Sequence, residues 1–306
     1  MSDAPLKPRR RWFRFSLRSL LIFVAVAGVW LGLKANRAQK QSRAVEAIAK
    51  WGGTVHYDYE SDGLKQPAYP AWLRYILPPD YLRTARIVEL RWSKVTDDGF
   101  QVLIGLPDLV SLDLEKTKIT DASIQQLSVL TKLKVLILNR TNCTDHGVES
   151  LKSLTKLVQL GLSETQIRDE GVVIVRSMPN LSFLDISSTQ VGDVGLEHLQ
   201  GLNINSLDIS DAVVTEEGLL KLQRLPKLDW LCVSRYLITP RGISHLQALP
   251  KLKTLVFKSD LDDWMKIQAE LKQALPGVGV VPLMQGFLLK PPPNTPVWLK
   301  PMPYQR

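Results

Sequence analysis

A leucine recurs every 24 residues through the middle of this chain. The residues that open successive units are Leu109, Leu133, Leu157, Leu181, Ile204, Leu228 and Leu252, spaced by 24 except for one step of 23. An upstream unit fits the same frame from Ala85. A period of this length builds a stack, because one unit cannot bury its own apolar side chains and needs a neighbour on each side. That requirement excludes a fold with a single closed core.

Each unit reads in two halves. In the first, apolar residues alternate with polar ones, as in Leu112/Leu114, Leu136/Leu138, Leu160/Leu162, Leu184/Ile186, Leu207/Ile209 and Leu231/Val233. Alternation predicts a short strand with these residues pointing inward. In the second half, apolar residues recur at helical spacing, as in Leu196, Leu199 and Leu202. Between the halves stand Thr96, Thr120, Thr144, Thr215 and Thr239, each followed by an acid or, at Pro240, a proline. Threonine is a good N-cap, and acids and proline suit the first helical turn. Arg168 and Gly192 break the cap in two units. A glycine recurs two residues past the acid, with Ser123 the exception. Strands are thinner than helices, so the stack curves with its parallel sheet inside.

The phrase L-x-x-L-x-L followed by T-D-x-G-L-x-x-L resembles leucine-rich repeat proteins over residues 85–258. The resemblance implies an α/β leucine-rich repeat solenoid, a curved horseshoe with the sheet concave and helices convex. This chain departs from that family's usual pattern at the turn after L-x-L, where Thr117, Thr141, Thr165 and Thr189 replace asparagine or cysteine and are followed in register by Ala212 and Tyr236. A threonine hydroxyl can bond the turn backbone and Ala212 cannot, so the ladder is expected to weaken near the C-terminal units. The I-T-D-x-G-L phrase also looks like the repeats of F-box substrate adaptors. A wider resemblance, from RWFRFSLRSLLIFVAVAGVWLGL through AVEAIAKWGGTVHYDYE to the repeats, is to membrane-anchored bacterial proteins of this repeat type.

The net charge of +9 invites a nucleic-acid reading, but its location argues against one. Residues 1–50 hold eleven Lys/Arg and two acids, while the other 256 residues hold 28 of each sign. The excess flanks Ser19–Leu33, fifteen residues without a charge. As a helix this run spans about 22 Å, and Phe15, Leu17 and a snorkelling Arg18 extend it toward the ~30 Å of a bilayer core. We expect an uncleaved signal anchor; a signal peptide cut at Ala25-Val26-Ala27 and an interfacial helix are the alternatives. Six basic residues before the span and five after it set the N-terminus weakly on the cytoplasmic side, with the repeats outside.

The expected organisation is a basic segment (1–18), a transmembrane signal anchor (19–33), a juxtamembrane helix and N-terminal cap (34–84), repeats (85–258), a C-terminal cap (259–282) and a proline-rich tail (283–306). Gly52-Gly53 ends the juxtamembrane helix, Thr54–Tyr59 alternates as a strand, and Trp72, Leu73, Ile76 and Leu77 are expected to pack on the first repeat. Leu261–Leu275 reads as a helix, and Val278–Val281 as a last strand.

No nucleophile, phosphate-loop or metal motif stands out, so no catalytic residue, metal ligand or cofactor is expected. His198 and His245 fall at one repeat position two units apart on the convex side, too far apart to share a metal. Asp97, Asp121, Asp145, Asp169 and Asp193 lie one per unit at helix starts, which explains them as capping and dipole groups and not as a calcium site. Cys143 and Cys232 face different sides and do not pair. The concave face is the candidate binding surface. Phe183 and Trp230 stand on either side of Asp185, Asp208 and Asp211, an exposed aromatic pair around acids suited to a basic segment of a protein; Trp92 and Arg235 complete the candidate set. The expected function is recognition of a so far unidentified protein ligand by a membrane-anchored chain that touches lipid through residues 19–33 and does not bind nucleic acid. A cytosolic-facing regulator or ubiquitin-ligase-type adaptor, and a glycan-binding or envelope-tethering protein, are the alternatives.

Overall fold

The computed structural model describes residues 17–61, 71–258 and 264–283. The expectations for the basic segment up to residue 16, the proline-rich tail from 284 and the start of the last helix at 261–263 lie outside the described residues.

One sheet of ten strands runs the length of the stack, in chain order. Its strands are β1 (Thr54–Tyr57), β2 (Ala85–Glu89), β3 (Ser111–Asp113), β4 (Val135–Ile137), β5 (Gln159–Gly161), β6 (Phe183–Asp185), β7 (Ser206–Asp208), β8 (Trp230–Ser234), β9 (Thr254–Lys258) and β10 (Gly279–Leu283). Strands β2 to β10 are parallel; β1 alone is antiparallel, on β2. The register is constant, so Leu112, Leu136, Leu160, Leu184, Leu207, Leu231 and Leu255 form one buried row.

The helical halves are shorter than an amphipathic helix. Four helices precede them among the described residues: the long α1 (Leu17–Trp51) and the short α2 (Asp58–Ser61), α3 (Ala71–Ile76) and α4 (Pro79–Leu82). Within the repeats, α5 (Asp97–Phe100), α6 (Asp121–Gln126), α7 (Asp145–Glu149), α8 (Asp169–Val172), α9 (Asp193–His198), α10 (Glu216–Lys221) and α11 (Pro240–Gln247) mostly run on into 3₁₀ turns such as Ser150–Ser153. Apolar residues three apart fit the three residues per turn of that tighter helix, which keeps them in one line toward the core. A final helix, α12 (Trp264–Ala274), packs on β10.

Helix α1 joins two expected segments into one. Its 35 residues run without a break from the apolar run into the cap, about 52 Å of helix. Gly52, at φ 84, ends it, and Gly53 N donates to Ile48 O at 2.9 Å. Its second half is fixed to the first coil: Ala38, Gln41, Ala44 and Ile48 are buried along one stripe. Gln41 Nε2 donates to Arg83 O (3.0 Å), Ala85 N donates to Gln41 Oε1 (3.0 Å), and Arg37 pairs with Asp108. The first half, including Leu17, Phe23, Trp30 and Leu33, is exposed. Of the four residues expected to pack on the first repeat, Trp72 and Ile76 are exposed on α3, a correction, Leu77 is half-buried, and the Leu73 side chain lies outside the described residues.

The aspartates do more than cap their own helices. Each reaches to the next coil and receives the N–H that opens that coil's helix. Thr120 N and Oγ1 donate to Asp97 at 2.9 and 2.6 Å, and Thr144 and Thr215 repeat this with Asp121 and Asp193. Where the threonine is missing the carboxylate still serves: Arg168 N donates to Asp145 (2.8 Å), and Gly192 N and Gly195 N to Asp169 (2.7 and 2.9 Å). That compensates for the two broken caps. The same contact explains the glycine in four of the units, Gly147, Gly171, Gly195 and Gly218, whereas Gly99 faces Trp51 and Gly242 the Leu237 carbonyl. A Cβ on Gly171 would stand 2.3 Å from Asp145 Oδ1, and one on Gly147 2.2 Å from Asp121 Oδ1. At the exception, Ser123 turns the clash into a bond, its Oγ donating to Asp97 at 2.5 Å.

Turn threonines also bond as expected: Thr117, Thr141, Thr165 and Thr189 donate to the carbonyls of Leu114, Leu138, Leu162 and Ile186 at 2.6–2.8 Å. The residue before each threonine, from Lys116 to Ser188, has positive φ, and Asp211 continues the series. Ala212 makes no such side-chain bond; the turn there keeps its left-handed residue at Asp211, the Tyr236 hydroxyl donates to Ala212 O, and β8 to β10 lengthen to five residues.

Because aspartate and glycine share one contact, their substitutions are coupled. Gly171→Ala is expected to cost roughly 1–3 kcal/mol and Asp145→Ala about 1 kcal/mol. The double variant should lose measurably less than the sum in urea unfolding, since removing the carboxylate removes the clash.

Candidate recognition surface

Three columns of side chains, one residue per strand, cover the sheet's open face. The constant register places Gln159, Phe183, Ser206 and Trp230 in one column and Gly161, Asp185, Asp208 and Cys232 in the next. A third, two residues further along the chain, holds Asn139, Ser163, Ser187, Ser210 and Ser234. Phe183 and Trp230 are thus two strands apart, and their ring centroids are 6.4 Å apart at 39°.

The structure brings together Phe183, Asp185, Asp208 and Trp230, but not as an exposed patch. Trp230 is 6% exposed and Asp208 4%, and Phe183 and Asp185 are half-buried. Trp230, Cys232 and Val256 form a small apolar cluster against Leu283 of β10. This corrects the expected open aromatic pair: the last strands add enough side chain to close over the tryptophan. The acids are used internally. Ser187 N and Oγ donate to Asp185 Oδ1 at 3.0 and 2.6 Å, and Asn139 Nδ2 reaches Asp185 Oδ2 at 3.4 Å. Ser210 N and Oγ donate to Asp208 Oδ1 at 2.9 and 2.7 Å. Asp-x-Ser on one strand face is the sequence signal for this bonding.

The other candidates stand apart from this group. Asp211 is exposed at the left-handed turn and pairs with Lys258. Arg235 is exposed in the 3₁₀ turn after β8. Trp92 lies four strands away from Phe183, 56% exposed, with Lys116 Nζ 4.5 Å from its ring centroid. The turn row between them carries charge: Arg140 binds Glu164 through Nε (2.8 Å) and Nη2 (2.6 Å). A ridge of exposed charged and aromatic side chains therefore borders a largely apolar and hydroxyl-lined floor.

Electrostatics make the floor unusual and not reactive. Burial, with the neighbouring Asp208, raises the Asp185 carboxyl from 3.8 to about 7, and burial raises Asp208 as well. Both adjacent acids are thus held above the usual carboxylate range. Burial and Asp208 push the Cys232 thiol well up, and burial does the same at Cys143, so neither is an activated nucleophile. Both cysteines are free. Among the described residues no group of three His, Cys, Asp or Glu side chains is placed to hold a metal ion.

The raised carboxyls fix the sign of a pH effect. Between about 4 and 7 the folded chain holds protons that the unfolded chain has released, so this pair's contribution to stability falls as pH rises through that window. Asp185→Asn should raise the melting temperature at pH 8 by several degrees and change it little at pH 4.5, read by calorimetry at both values.

Residues 177–199 match a family described as Leucine Rich repeat. No curated protein sequence matches the chain. Among solved structures, the chain is similar to an internalin, InlF, from Listeria monocytogenes, at 20% identity and a TM-score of 0.34, covering 65% of this chain and 81% of that one. It is also similar to the ectodomain of the plant membrane receptor kinase GASSHO1/SCHENGEN3 from Arabidopsis thaliana, at 13% identity and 0.39, covering 74% of this chain and 29% of the receptor chain. A third likeness is to TLR13 in its complex with ssRNA13, at 19% and 0.33, covering 64% and 39%. From its own strand register and repeat period, the fold is a leucine-rich repeat α/β solenoid with a parallel sheet and a long apolar helix at its N-terminal end.

Proposed function

We propose that this protein is a single-pass membrane-anchored recognition module without catalytic activity, its N-terminus cytoplasmic and its repeats on the other side of the membrane. The observation that carries the reading is the division of α1. An 18-residue window of this helix has a mean hydropathy of 1.8 and none of it is buried, whereas the continuation from Ala38 is part of the core. A core helix would be covered along its length, and an exposed stretch of this size in water is costly.

The partner class proposed is protein. Half-buried Phe183 supplies an apolar centre, and Arg140, Glu164, Asp211, Arg235 and Trp92 a charged and aromatic border, the composition of a recognition patch. The same face supports a cytosolic-facing regulator if the membrane orientation is reversed. The glycan reading is less well supported, because Trp230 is covered and offers no stacking surface.

Alkaline carbonate washing of membranes should leave the chain in the pellet, and protease added to intact cells should degrade the repeats. Protection of the repeats in intact cells with degradation after lysis would reverse the orientation, and extraction by carbonate would remove the anchor. A photo-crosslinking amino acid at Phe183 should capture a partner that the same probe at Leu220, on convex α10, does not; equal capture at both would move the site.

A further inference from the structure

Helix α3 carries the largest exposed side chains of the folded part outside α1. Tyr75 is 91% exposed, Ile76 67% and Trp72 62%. Three such residues on six positions are a poor surface for water, and nothing among the described residues covers them.

The path of the chain sets the height of α3 along α1. Residues 83–85 are bonded to Gln41, as described above. Seven residues earlier, Pro78, with Asp80 and Tyr81, lines a cleft of about 480 Å³ along α1 from Ala35 and Asn36 to Gln39 and Ser42. Followed backwards from β2, the chain thus lies along the stretch of α1 that reaches from Gln41 to Ala35, next to its exposed apolar half. Ile76 is two residues before Pro78, at most about 7 Å away. Ala35 is only ~3 Å of helix rise beyond Leu33, where the apolar run ends. Helix α3 therefore sits near the level at which α1 passes from apolar to basic sequence, the level of Lys34 and Trp30, whose ammonium and ring are 5.7 Å apart.

We propose that α3 is a second membrane contact, lying in the headgroup zone of the bilayer with Trp72, Tyr75 and Ile76 inserted beside the point where α1 leaves the lipid. The chemistry fits that zone. Tryptophan and tyrosine rings are enriched at membrane interfaces, where an apolar body meets hydrated headgroups. Residues 63–79 contain Lys65 and Arg74 and no acid, so an anionic leaflet is not repelled. Two attachments, one spanning and one interfacial, hold the solenoid at a fixed angle where α1 alone would let it rotate about the helix axis. This inference rests on the reading of residues 17–33 as a bilayer span.

The test uses the full chain in nanodiscs of phosphatidylcholine and phosphatidylglycerol, with a nitroxide attached at one introduced cysteine. Cys143 and Cys232 are buried and do not compete for the label. Tyr75→Cys is compared with Leu20→Cys in the apolar run and Val213→Cys on an exposed repeat turn. Power saturation reads accessibility to oxygen, which partitions into lipid, against a nickel chelate, which stays in water. The expected result is an oxygen-to-nickel ratio several-fold higher at Tyr75 and Leu20 than at Val213. A lipid-like ratio at Leu20 with a water-like ratio at Tyr75 would overturn the interfacial contact and leave the span intact. Water-like ratios at both would overturn the span and this contact with it.

Discussion

A coil of 24 residues is unfinished on both sides: its strand has unpaired N–H and C=O groups along two edges, and its leucines face two open planes. Only another coil in register satisfies both at once. The constant pairing from β2 to β9 does this for the strands, and the unbroken row from Leu112 to Leu255 does it for the apolar interior. On the convex side, where short helices leave N–H groups unpaired, Asp97, Asp121, Asp145, Asp169 and Asp193 complete the register. Each residue thereby links two coils, so the stack is specified at both faces independently.

The proposed recognition surface is a by-product of that arrangement. Residues that alternate with the leucines project from the sheet's open side, and the repeat leaves them free to vary. What they become depends on their neighbours in the same column. Next to Ser187 and Ser210, the acids Asp185 and Asp208 turn inward and hold the floor together. At the turns, where the backbone bends away, Arg140, Glu164 and Asp211 point outward.

Much of this was legible in the chain. The period, the inward leucine pairs and the turn threonines recur often enough that each unit checks the others. Three features were not legible, each for a physical reason. The partner of each aspartate lies 23 or so residues away on another coil, and spacing within one unit does not show it. The juncture at Leu33 looks like a boundary because composition changes there, but the helix continues because nothing that breaks a helix occurs before Gly52. The burial of Trp230 depends on Val256 and Leu283, contributed by later strands, whereas alternation predicts only which face a residue is on. Part of the candidate site was therefore identified by position and misread in exposure.

The two described edges of the sheet differ from the strands between them. A row of parallel strands is directional, and an open one offers a head and a tail that could join copy to copy into a filament. Here the first strand, β1, runs against the rest, so a second copy docking at that edge would meet reversed polarity. At the opposite edge, β10 contains Pro282, which has no N–H to offer an incoming strand. Each described edge of the sheet thus carries a feature that makes it unlike the strand edges within the stack.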